Sequence, residues 1–214
     1  MRFVAGLVFL TAAVAPAALA QSGRVGVSMS LNATPEANGA RKPIVRLKGL
    51  LPDQRWNQAL DNSLPIVINY HLETWRARDG WIDELTSEVE WQTVVAKEPL
   101  EDEYTATLVL GTRAERPRRF AVRDSADHFL SLPQRVDVFP TRPGRFYYTL
   151  TVRITALSDA DVAQLERFLA GEAEPDVTDR GTLFGRGLRR LLLRIAGLPS
   201  EVLQAKTEEF EVKP

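Results

Sequence analysis

The 214-residue chain carries 27 Lys and Arg against 28 Asp and Glu, a net charge of −1, so it lacks the broad cationic face a general nucleic-acid binder needs. It contains no cysteine, which excludes disulfides, thiolate metal sites, thiol redox chemistry and a cysteine nucleophile together. A chain of this length buries roughly 70% of its unfolded surface, enough for one substantial domain with an ordinary apolar core.

At the N-terminus, Arg2 precedes an apolar run from Phe3 to Ala15. Pro16 then breaks the run, and Ala18-Leu19-Ala20 offers the small residues a signal peptidase reads. Residues 1–20 read as a secretory signal peptide, leaving a chain that starts near Gln21. An uncleaved anchor would need about 20 apolar residues, slightly more than this proline-interrupted run supplies. Export from the cytoplasm is therefore expected, with no spanning helix in the mature chain.

Period-two alternation follows. In Arg24–Leu31, Val25, Val27, Met29 and Leu31 share a face. In Pro65–Trp75, Ile66, Ile68, Tyr70 and Leu72 alternate with Val67, Asn69, His71 and Glu73. In Leu85–Val95, Leu85, Val89, Trp91 and Val95 oppose Thr86, Glu88, Glu90 and Gln92. Tyr104–Leu110 and Arg145–Ile154 repeat the pattern, which is that of half-buried antiparallel strands. Shorter candidates are Ile44–Leu50, Arg118–Arg123, Arg135–Phe139 and Thr207–Val212. Asp79-Gly80 marks a tight hairpin, Lys97–Glu103 a longer one, and Pro143-Gly144 a turn into the aromatic strand.

Helices are secondary. Asp53–Asn62 places Trp56 and Leu60 toward the sheet. Asp124 caps a short turn carrying Phe129 and Leu130, and Ser158 caps Asp159–Leu169. Glu172–Asp179 is an acidic linker. Beyond it, Thr182–Leu198 forms an amphipathic helix, with Leu188, Leu191, Leu192 and Ile195 on one side and Arg186, Arg189, Arg190 and Arg194 opposite.

The fold expected is mainly β: an immunoglobulin-like antiparallel β-sandwich of seven to nine strands, with a few short helices and one C-terminal amphipathic helix. The divisions are 1–20 signal peptide, 21–171 sandwich, 172–199 linker and arginine-rich helix, and 200–214 a C-terminal strand rejoining the sandwich. Val27, Met29, Ile68, Tyr70, Trp91, Leu108, Tyr148, Leu150 and Val152 are expected in the core.

No nucleophile elbow, zinc motif or phosphate loop is present, and the two histidines, His71 and His128, stand far apart. No catalytic residue, cofactor or metal ligand is assigned. His71 reads as a surface or lightly packed histidine. Trp75 and Trp81 flank the Asp79-Gly80 turn and read as a buried staple across the hairpin. A competing reading joins the Trp75/Trp81 region to His71 and Glu73 as a small-ligand or hydrolytic site. Glu98, Glu101, Asp102 and Glu103 lack calcium-loop spacing and read as a solvated tip. Glu88 and Glu90 read as a solvent-facing strand edge. The arginine helix suits an anionic membrane surface or a protein partner, or lays its leucines on the sandwich.

Ala59-Leu60, Leu64-Pro65-Ile66, Glu73, Trp75-Arg76, Trp81, Pro99-Leu100, Tyr104, Arg119-Phe120, Arg145-Phe146-Tyr147-Tyr148, Leu157-Ser158 and Phe168-Leu169-x-Gly171 follow one another in an order that resembles the bacterial family called domain of unknown function 4390. The resemblance spans about Val45 to Gly171. It implies an exported protein without assigned activity, accessory to envelope signalling. The expected function is a non-enzymatic binding module for a protein or the membrane surface.

Overall fold

The computed structural model describes residues 24–111, 113–156 and 199–214. Strand accounts for 52% of them, and helix is confined to two eight-residue segments. The expected signal segment, the expected helix after Ser158, the acidic linker and the expected arginine-rich helix all lie outside the described residues.

The strands are β1 (Gly26–Leu31), β2 (Pro43–Lys48), β3 (Ile66–Ala77), β4 (Glu84–Glu98), β5 (Glu103–Leu110), β6 (Arg113–Ala114), β7 (Arg118–Phe120), β8 (Gln134–Arg135), β9 (Gly144–Ala156), β10 (Ser200–Lys206) and β11 (Phe210–Val212). The helices are α1 (Gln54–Asp61) and α2 (Arg123–Leu130). All pairing is antiparallel. One sheet of eight strands runs β10-β9-β3-β4-β5-β6, with β11 also on β9 and β7 also on β5; a second has the order β1-β2-β8. The described strands number eleven rather than seven to nine. Short pieces such as β6 and β8, two residues each, are below the length at which alternation shows.

The alternation fixes which face is buried. Ile66, Ile68, Tyr70 and Leu72 of β3 lie opposite Ala156, Ile154, Val152 and Leu150 of β9. They join one apolar cluster with Val45 and Leu47 of β2, Trp56 and Leu60 of α1, and Ala126 and Leu130 of α2. Tyr70 and Trp91 sit opposite each other in register and stack, with centroids 4.8 Å apart and planes 5° from parallel. Val27, Met29 and Leu108, expected in the core, are only partly buried against it. The smaller sheet ends in the two-residue β8, so the β4–β5 end of the larger sheet's inner face is incompletely covered, and Leu110 is half exposed.

Local chemistry explains α1. Asp53 caps it by accepting from the Arg55 N–H at 3.0 Å. Beyond Asn62, Ser63 adopts φ +59°, its N–H reaching Leu60 O and the Leu64 N–H reaching Ala59 O, both at 2.9 Å. This 5→2 and 6→1 pair is a Schellman closure, built here without glycine. In α2, Val122 is the cap and makes no side-chain bond; Asp124 lies inside the first turn. Asp124 is thus not a cap, and its carboxylate acts there through the helix dipole.

Candidate functional site

Three strands bring together residues far apart in sequence. Glu90 of β4 lies opposite His71 of β3, and Thr149 of β9 lies opposite Glu73. Alternation turns all four away from the core. His71 Nδ1 is 2.7 Å from Glu90 Oε1, and Nε2 is 3.2 Å from Glu73 Oε1. Glu73 Oε2 accepts from the Thr149 hydroxyl at 2.6 Å and from the Trp75 indole N–H at 3.0 Å. His71 is therefore a partly buried member of a network, not an isolated surface histidine. Glu90 is its partner rather than a solvent-facing edge residue.

A carboxylate at each ring nitrogen is the environment of an imidazolium, which donates from both. Burial opposes the charge, but the bonds to Glu90 and Glu73 outweigh it and raise His71 above its ordinary 6.5. Burial likewise opposes ionisation of Glu73, yet bonds from Thr149, Trp75 and His71 hold its carboxyl below the usual value of 4.5.

Both ring nitrogens of His71 and both oxygens of Glu73 are engaged by neighbouring side chains, which fixes the orientation of each group. The two carboxylates address opposite sides of the ring and do not converge. Among the described residues, no group of three or more His, Asp or Glu is arranged to hold a metal ion.

The network has a testable pH signature. A raised histidine pKa stabilises the fold below the unfolded value near 6.5, and this gain is lost as pH rises through the folded pKa. The depressed Glu73 pKa works in the opposite sense, its contribution being lost as pH falls through that value. His71→Gln is thus expected to destabilise most near pH 6, by about 1 kcal/mol after discounting for solvent screening, and least at pH 9. Urea titrations of both proteins across pH 4–9 measure it, and a pH-independent difference would refute it.

The β3–β4 hairpin ends in a second feature. Gly80, at φ +70°, provides the left-handed turn residue. Trp81 is 75% exposed and Ile82 84%. Trp75 instead folds back onto the sheet, bonding Glu73 and Thr149, and the two indoles make no ring contact. The buried-staple expectation therefore fails at Trp81. The register shift between Thr74 and Trp75 contributes: Thr74 faces Ser87 and Trp75 faces Leu85, so Thr86 is extra. One inserted residue reverses the alternation, which puts Leu85 on the Trp75 face and leaves it exposed.

Around the tip, Arg78 pairs with Glu84, and Arg145 with Asp79. Asp83 accepts from the Arg78 N–H at 3.1 Å and the Tyr147 hydroxyl at 2.7 Å. Burial and then that bond push Tyr147 up to about 12. At the opposite hairpin, Glu101 and Glu103 pair with Arg119, and Asp102 with Lys97 at 3.2 Å. Each of these acids thus has a protein cation beside it, with Arg119 shared by Glu101 and Glu103 and Lys97 shared by Asp102 and Asp61.

The leucines and arginines of the C-terminal amphipathic segment, Leu188, Leu191, Leu192, Ile195, Arg186, Arg189, Arg190 and Arg194, lie outside the described residues. Sequence reading passed over Thr149, which reaches Glu73 only through β3–β9 pairing and has no local signal. It also passed over the basic run Arg113, Arg116, Arg118 and Arg119, which was visible. Among the described residues, no helix is long and apolar enough to cross a membrane. Comparison with family models, curated proteins and solved structures finds no match to this chain.

Proposed function

We propose that this chain is a non-enzymatic binding module of the bacterial cell envelope, an immunoglobulin-like sandwich that grips a protein partner with its β3–β4 hairpin tip. The observation that carries the reading is the side-by-side exposure of Trp81 and Ile82, at 75% and 84%, on a turn held in shape by ion pairs. Large exposed apolar side chains mark contact sites, and tryptophan is enriched among residues that dominate binding energy. Pre-organisation of the turn reduces the ordering entropy lost on docking. The Arg78–Glu84 and Arg145–Asp79 pairs neutralise one another, which favours a protein pocket over an anionic lipid surface. Export rests on the segment Arg2–Ala20, and the likeness to family 4390 on the order of residues from Val45 to Gly171 alone.

The test is a photoreactive residue placed at Ile82 in intact cells. A single saturable protein adduct is expected, and Trp81→Ala should reduce it at least about tenfold, a truncation cost typical of a central anchor. Labelling of lipid alone, or an adduct indifferent to Trp81→Ala, would overturn the assignment.

A further inference from the structure

Between the inner face of β4–β5 and the segment running from Phe129 to Asp137 lies a cleft of about 580 Å³. Its floor is Trp91, Leu108 and Phe129, and its mouth carries Arg116, Arg118 and Arg135. We propose that this cleft binds a single-chain anionic amphiphile, specifically a long-chain fatty acid, with its tail on the apolar floor and its carboxylate among the arginines.

The cleft has an architectural cause. The three-stranded layer ends in the two-residue β8 and leaves the end of the larger sheet uncovered. Leu110 and Leu132, which line the opening, are 50% and 43% exposed. Apolar surface left in water costs about 25 cal/mol per Å², so an occupant that covers it is stabilising. The volume falls within the roughly 300–1,000 Å³ of small-molecule sites.

Charge selects the head group. Among the described residues, Arg116, Arg118 and Arg135 form no ion pair, and all three are exposed at the rim. Arg118 lies over the Phe129 ring, 5.1 Å from its centroid, which aims its guanidinium at the cleft's apolar wall. Of the two acids at the rim, Asp137 is engaged by Lys42 at 2.7 Å. Glu115 alone stands against the three arginines, so the mouth favours an anion, and a guanidinium fork matches a carboxylate in bidentate geometry.

Sheet geometry argues against a peptide. The adjoining edge of β5 is already taken by β6 and β7, so an incoming strand finds no free ladder there. A peptide laid on the floor would leave its N–H and C=O groups without partners, whereas an acyl chain has none to satisfy.

The experiment titrates palmitate, hexadecanol and palmitoyl-lysophosphatidylglycerol separately into the purified delipidated chain, following Trp91-dependent fluorescence and calorimetry. Saturable one-to-one palmitate binding is expected. The triple variant Arg116→Gln/Arg118→Gln/Arg135→Gln should weaken it at least about tenfold, the scale of losing a charge-assisted bond. Those arginines are exposed, so an unchanged thermal midpoint verifies the fold. Hexadecanol, of equal chain length without the charge, should bind at least tenfold more weakly than palmitate in the unaltered chain. The lysophospholipid arm separates a phosphate head from a carboxylate, and tighter binding there would reassign the ligand and overturn the fatty-acid proposal. Absence of saturable palmitate binding, or equal affinity of the triple variant, would also overturn it. Trp81→Ala should leave palmitate binding unchanged, so failure here and failure of the hairpin-tip reading are separately visible.

Discussion

Replacing Trp56 with alanine is expected to remove about 3–5 kcal/mol of stability, a large part of the 5–15 kcal/mol typical of a domain. Trp56 is fully buried on α1, in the same apolar cluster as strands from both sheets. Truncation leaves a cavity that neighbours anchored in β-ladders cannot collapse to fill. Among the described residues, the indole N–H has no hydrogen-bond partner, so the ring itself supplies the stabilisation. Trp56→Phe keeps most of the ring and removes that orphan donor, and should cost less than about 1.5 kcal/mol. Urea midpoints at unchanged slope give both values. A Trp56→Ala loss below about 1 kcal/mol would mean that α1 is not docked as described.

The second large effect is expected at Thr207. The chain leaves β10 there and enters β11 three residues later, yet the ladder along β9 is not interrupted. The Thr207 N–H donates to Tyr148 O, and its hydroxyl oxygen accepts from the Tyr148 N–H, both at 3.0 Å. A side chain thus stands in for a strand carbonyl. Thr207→Val preserves shape and leaves the buried Tyr148 amide without an acceptor, at a cost of about 1–3 kcal/mol. Thr207→Ser keeps the acceptor and should cost clearly less. Amide exchange at Tyr148 locates the effect: protection should fall in the valine variant and persist in the serine one.

The long strands were legible because their apolar residues alternate. Phe146 to Ile154 follows the pattern closely, whereas in β3 and β5 the polar-face residues Val67, Asn69, Thr105, Thr107 and Val109 are buried as well, and Leu108 on the expected core face is only partly buried. α1 was legible through Asp53 and the Trp56/Leu60 spacing. Other features depended on partners distant in sequence. Nothing near Leu85 announces the extra residue at Thr86, because a bulge is defined by the opposite strand. Nothing in Ser200–Lys206 beyond weak alternation announces β10, which is set by β9. The same applies to the candidate sites. His71 and Glu73 were visible as neighbours two apart on one strand, but Glu90 and Thr149 complete the network only after three strands align. The cleft is not a sequence property at all, since it arises from the unequal extent of two sheets.

The central position of β3 shapes how the chain reaches this fold. Its β4 edge is closed by a short hairpin turn, whereas its other edge waits for β9, with Ile66 meeting Ala156 and Ala77 meeting Arg145. Closing a loop of that length precedes any gain from the contacts it makes, which places folding among the slow, non-local β topologies of about milliseconds to seconds. In the interval, the run Ile66-Val67-Ile68 presents an unpaired backbone edge of high β propensity, the type of segment on which chains pair with one another. On a chain made from its N-terminus, β3, β4 and β5 emerge well before β9. The interval between them is when self-association competes with folding, and a holding factor that masks β3 until β9 arrives would act at that point.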